Sequence, residues 1–74
     1  MKKNMNSTFT LKMTLNAYLL QAGDLMVHPT TGDLLQVEST QRSGNYSRVV
    51  FADGTHHDMW AAAAVKVQRT FERN

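Results

Sequence analysis

A chain of 74 residues has room for one compact unit, and a unit that small buries only about 60% of the surface its unfolded form exposes. It contains no cysteine, which removes disulfides and thiolate zinc sites from the devices that hold small domains together. Eight Lys+Arg against six Asp+Glu leave a net charge of +2, a basic excess compatible with a polyanionic partner without demanding one.

One proline and four glycines, spread among apolar segments, argue for a folded chain and against disorder or low complexity. No apolar run approaches the roughly 18 residues of a membrane-spanning helix. The start, Met1-Lys2-Lys3-Asn4, carries the charge of a secretory signal, but polar residues interrupt positions 5–15 where an apolar region would follow. The expectation is therefore a cytoplasmic protein with no membrane contact: a flexible N-terminus over 1–7 and a single domain over 8–72.

Polar and apolar residues alternate strictly over 8–15, which predicts a half-buried strand with Phe9, Leu11, Met13 and Leu15 facing inward. Asn16 stands where the N-cap of a short helical turn over 17–22 is expected, and Gly23 can end that turn in a left-handed conformation. Strands follow over 25–28 and 34–40, separated by the turn Pro29-Thr30-Thr31-Gly32-Asp33. Arg42-Ser43-Gly44-Asn45 reads as a polar turn into a strand over 46–51. Asp53-Gly54 predicts a type I′ hairpin turn into a short strand over 55–58. Asp58 is placed to cap one helical turn covering Met59, Trp60 and the alanines, and a last alternating strand over 65–71 can pair with the first. In that strand Arg69 is the one charged residue on the face of Val65, Val67 and Phe71. Short strands separated by turns, with one helical turn before the last strand, predict an all-β fold in the form of a small closed or nearly closed barrel.

The order of these features resembles a small SH3-like barrel of the Tudor/KOW kind. The likeness rests on Ala22-Gly23-Asp24-Leu25-Met26-Val27, Thr31-Gly32, Val49-Val50-Phe51-Ala52-Asp53-Gly54-Thr55 and the turn from Trp60 to Ala63 before Val65-Lys66-Val67. It covers about 21–67 and leaves the first strand outside. It implies a barrel of five to six short antiparallel strands with one or two short helical turns. Tudor domains hold methylated lysine or arginine in an aromatic cage through cation–π attraction. Here alternation puts Tyr46 and Phe51 on opposite strand faces, so they cannot line one cage together. KOW-type barrels often contact nucleic acid or nucleoprotein partners, a use that suits this chain better. In size the chain is also similar to the plasmid-borne dihydrofolate reductases, which share one pore between four short SH3-like chains. Their Val-Gln-Ile-Tyr signature falls at Thr55-His56-His57-Asp58, which shares none of its residues. Nothing catalytic carries across; only the idea of assembly survives.

His56-His57-Asp58 is the most unusual cluster. On a strand His56 and Asp58 share a face and His57 points away, so the adjacent histidines do not chelate one ion, and His28 or another copy of the chain would have to complete a metal set. A His–Asp pair can serve acid–base chemistry, but Ser39, Ser43 and Ser47 lie at or beside turns with no nucleophile motif around them. An enzyme would need a symmetric pore in which His56 and Asp58 repeat. No cofactor is called for. The residues placed to bind nucleic acid are Arg42, Tyr46, Arg48 and Lys66, with Tyr46 on the strand face of Arg48 and Lys12 beside Lys66 on outward faces of the terminal strands. Trp60 is read either as core at the barrel end or, with His56, as an interface anchor between copies. The leading expectation is a non-enzymatic binding module on nucleic acid or a nucleoprotein complex. The alternative is a homo-oligomeric small barrel whose shared interface takes a small ligand or a protein target, with its small size pointing to a phage or mobile-element protein.

Overall fold

Alternation of polar and apolar residues favours half-buried strands, and the computed structural model, which describes residues 7–73, has six. They are β1 (Ser7–Asn16), β2 (Leu25–Val27), β3 (Leu34–Ser43), β4 (Tyr46–Phe51), β5 (His56–Trp60) and β6 (Ala64–Arg73). All pair antiparallel in the order β1-β6-β2-β3-β4-β5, as the all-β expectation requires, but among the described residues no pairing joins the two edge strands β1 and β5, so the sheet is not closed into the expected barrel. The flexible terminus expected over 1–7 lies outside the described residues except for Ser7, which belongs to β1.

β1 and β6 run opposite each other from Ser7↔Arg73 to Asn16↔Ala64, with the Phe9 and Phe71 rings stacked at 5.4 Å. Their ladder continues past Asn16 through Ala17 N–H to the Ala63 carbonyl and Tyr18 N–H to the Ala61 carbonyl. The core is one cluster of buried residues: Ala17, Leu20, Met26, Val37, Val49, Phe51, Met59, Val65 and Val67, with Met13, Leu15 and Leu35 packed against it. Each large side chain buried there contributes roughly 1.5–3 kcal/mol, so Phe51, the largest of those fully buried, carries a major share.

Register changes once. Between Val37↔Phe51 and Ser39↔Val50 the pairing of β3 with β4 shifts, leaving Glu38 as the extra residue of a β-bulge. A single inserted residue exchanges the two faces of a strand. Before it Leu35 and Val37 face the core; after it Ser39, Gln41 and Ser43 share the outer face with Val50, Arg48 and Tyr46.

Four local expectations are corrected. The hairpin at Asp53-Gly54 has a three-residue loop instead of a type I′ pair. Phe51 N–H bonds the Thr55 carbonyl across the loop 52–54, Gly54 N–H bonds the Phe51 carbonyl, and only Gly54 (φ +91°) is a glycine in the left-handed region there. The two-residue hairpin loop is Gly44-Asn45, closed by Ser43↔Tyr46. Asn16 makes no capping bond to the shortened 3₁₀ turn Ala17–Leu19; its side-chain amide donates to the Ala62 carbonyl at 2.9 Å. Asp58 caps no helix either, because Asp58, Met59 and Trp60 are strand residues of β5 and only a turn follows over 61–63.

Arg69 faces inward, as the alternation of β6 requires, and finds buried Asp24 there. Its Nε and Nη2 donate to Asp24 Oδ1 and Oδ2, both at 2.8 Å, and Nη2 also donates to the Leu19 carbonyl. Gln21 N–H bonds the same carboxylate, and Val37 N–H bonds the Asp24 backbone carbonyl. One carboxylate residue thus ties β6, the segment entering β2 and β3. Burial pushes its pKa up, but the Arg69 hydrogen bonds, the Gln21 amide and the Arg69 charge outweigh that and hold it below the ordinary carboxylate value.

Candidate functional site: the outer face of β3, β4 and β5

Alternation on β4 and β5, together with the bulge in β3, gathers the polar and aromatic residues of three strands on one outer surface. Tyr46 lies directly opposite Trp60, Arg48 opposite Asp58 and Val50 opposite His56. Opposite side chains in an antiparallel pair are close enough to interact, and these do. The Tyr46 and Trp60 rings stack at 4.7 Å with 26° between their planes. Both stay solvent-accessible, at 50% and 56%. Trp60 is therefore not core; the core place beside it belongs to Met59, whose side chain points the other way.

Next along the strands, Arg48 Nε and Nη2 donate to Asp58 Oδ1 and Oδ2 at 2.8 and 3.1 Å, a bidentate pair open to water. The Arg48 hydrogen bonds, helped by the Arg48, His56 and His57 charges, outweigh desolvation and lower the Asp58 pKa. A concavity of about 420 Å³ is lined by Gln41, Ser43, Tyr46, Arg48 and Asp58. Its chemistry is a stacked aromatic wall beside a fixed donor–acceptor pair, with amide and hydroxyl groups from β3.

Of the residues singled out by sequence, Tyr46, Arg48, Trp60 and His56 meet on this face. Arg42 turns to the other side of β3 with Ser47, because the bulge has exchanged the faces. There its guanidinium lies 5.4 Å from the Tyr18 ring centre and its Nε donates to the Gly44 carbonyl. Lys66 is exposed on β6, opposite Thr14. Gln41, Ser43 and Asp58 are contributors that sequence reasoning did not assign to a binding face. For Asp58 the signal was present, since it shares the strand face of His56. For Gln41 and Ser43 it was not, because their orientation depends on the bulge.

His57 faces away from His56, as a strand requires, and its ring meets His28 edge-on at 4.8 Å. The His28 Nδ1 accepts the backbone N–H groups of Thr30 and Thr31 at 3.1 and 3.3 Å. With Nδ1 accepting, a neutral His28 carries its proton on Nε2, which makes that nitrogen a donor and not a metal ligand. Among the described residues no three His, Asp or Glu side chains converge on one point, and no helix is long and apolar enough to cross a membrane.

No family model, no curated protein and no solved structure matches this chain.

Proposed function

We propose that the chain is a non-catalytic binding module that takes single-stranded nucleic acid, alone or within a nucleoprotein complex, on the outer face of β3, β4 and β5. The observation that carries this reading is the exposed Tyr46–Trp60 stack beside the Arg48–Asp58 pair. Large aromatic rings held half in water lose little entropy on binding and offer the flat surface on which bases stack, at about 1–3 kcal/mol per base. The fold behind it is read as SH3-like. In support, β6 pairs with β2, which brings together the two ends of the resembling segment 21–67, while β1 adds a strand outside it.

Trp60 is the chain's one tryptophan, so the test has a built-in probe. Titrating a single-stranded oligonucleotide at about 50 mM salt should quench Trp60 emission, with affinity falling steeply as salt rises. Trp60→Phe should retain much of the binding measured by oligonucleotide anisotropy, and Trp60→Ala should lose about tenfold or more. Absence of binding at that salt, or an affinity that salt does not change, contradicts the reading.

A homo-oligomer is the second reading, favoured by the position of Trp60 on edge strand β5. The outer side of that strand has no strand partner among the described residues, and unpaired edges invite a second chain. In that case sedimentation shows a mass that rises with concentration and returns to one chain in Trp60→Ala.

A further inference from the structure

The described cations are unevenly used. Arg48 and Arg69 are held by Asp58 and Asp24, and Arg42 is bonded to a carbonyl and set over a tyrosine ring. Lys12 and Lys66, both exposed, have no carboxylate partner among the described residues. Lys12 lies opposite Gln68 and Lys66 opposite Thr14 on the paired strands β1 and β6. The two lysines are therefore diagonal neighbours on one outward face, with Cβ atoms roughly 7 Å apart, a spacing at which two flexible ammonium groups can flank a single anionic group.

These residues line a concavity of about 390 Å³ with Thr14, Gln68, Val27 and Val67, and no acidic side chain takes part in the lining. Its volume falls within the range of small-molecule sites, roughly 300–1,000 Å³. Two ammonium groups with a hydroxyl and a carboxamide between them match a compact dianion that has several acceptor oxygens. A phosphate monoester has that form, with a charge of about −1.5 to −2 at neutral pH, whereas a phosphodiester brings one charge. Val27, half-buried on the neighbouring strand β2, supplies an apolar wall for the organic part of such a ligand.

We propose that the β1–β6–β2 concavity is a binding site for a phosphomonoester, with Lys12 and Lys66 holding the phosphate and Thr14 and Gln68 completing its hydrogen bonds. The site is separate from the aromatic face, so each can fail without the other.

The experiment is an amide-resolved NMR titration of the full chain at about 0.1 M salt, where charges more than about 10 Å apart are screened. The probes are inorganic phosphate, adenosine 5′-monophosphate, glucose 6-phosphate and a single-stranded oligonucleotide without terminal phosphate. The expected result is a saturable shift of the Lys12, Thr14, Lys66 and Gln68 amides with at least one monoester, at a dissociation constant of about 1 mM or tighter. Inorganic phosphate should move the same amides more weakly, and comparison of the nucleotide with the sugar phosphate shows which organic part the apolar wall favours. Lys12→Gln and Lys66→Gln, both at exposed positions, should each weaken binding at least about fivefold while leaving the rest of the spectrum in place. The proposal is overturned if no monoester saturates, if the variants bind as well as the parent, or if shifts spread equally to the amides of Arg42 and Arg48. It is also overturned if the oligonucleotide moves the four amides at lower concentration than any monoester, which would assign the lysines to a phosphodiester backbone.

Discussion

Asp24 and Arg69 show what a single charged residue does when strand alternation sends it inward. Arg69 occupies a core-facing position, and Asp24 is 3% exposed beneath it. Removing one partner leaves the other charge desolvated and uncompensated, which costs more than the intact pair contributes. Asp24→Asn should therefore lower unfolding free energy by about 3 kcal/mol in urea titration. This is the low end for buried pairs, because the Arg69 side chain keeps some contact with water. The same pair gives a pH dependence. The Asp24 pKa is lowered in the folded chain, so at low pH the unfolded state takes up its proton first. Its contribution is complete above the ordinary carboxylate value of about 3.9 and is lost as pH falls from there through the folded value. Urea midpoints across that acidic window should fall less steeply for Asp24→Asn than for the parent. Arg48–Asp58, by contrast, is open to water on both sides, so Arg48→Ala should leave the melting temperature nearly unchanged and act on binding.

Among the elements, the hairpin loops have the sharpest requirements. Gly54 adopts φ +91°, and a Cβ there would meet no neighbouring atom, so any cost of a side chain is conformational and not steric. Gly54→Ala should destabilise by about 1–2 kcal/mol. A chemically synthesised chain with D-alanine at the same position should be as stable as the parent or up to about 1 kcal/mol more so, because D-alanine accepts positive φ and narrows the unfolded ensemble. Equal losses for the two enantiomers in thermal melts would contradict this account. The bulge at Glu38 acts at the same scale: by exchanging the faces of β3 it places Gln41 and Ser43 beside Tyr46 and Arg48 and sends Arg42 away. Deleting Glu38 would make the ladder continuous while leaving Val37 opposite Phe51 and Ser39 opposite Val50, so no side chain of β3 would change face. Retention of a cooperative urea transition is the expected outcome, and its loss would contradict the assignment of Glu38 as the extra residue.

For the molecule as a whole the decisive number is small. A domain of this length has a total stability of roughly 4–10 kcal/mol, and one core cluster with no disulfide supplies it. Phe51→Ala should cost about 3–5 kcal/mol, enough to leave much of the population unfolded at 37 °C, as circular dichroism would report. Much of this organisation was legible beforehand. The strand over 46–51 is where alternation and Val49-Val50-Phe51 place it, and the first and last strands differ from the expected ranges by one or two residues at each end. The helical turn expected around Met59 and Trp60 was the main miss. Alanine-rich sequence favours helix locally, but β4 offered Met59 and Trp60 strand partners in Ser47 and Tyr46, and that pairing prevailed.

Alternation, turn residues and the absence of cysteine were enough to determine an all-β chain whose opening and closing strands pair, because side-chain period and turn chemistry are local properties. They were also enough to put His56 and His57 on opposite faces and Lys12 beside Lys66. Only the tertiary structure decided which residues meet across strands: that Trp60 stacks on Tyr46 at the surface, that Asp58 holds Arg48, that Asp24 neutralises Arg69, and that Arg42 leaves the face of its neighbours. Each of these depends on register or on a bulge. Register is a relation between segments far apart in the chain, and one residue of slip exchanges every contact on a strand.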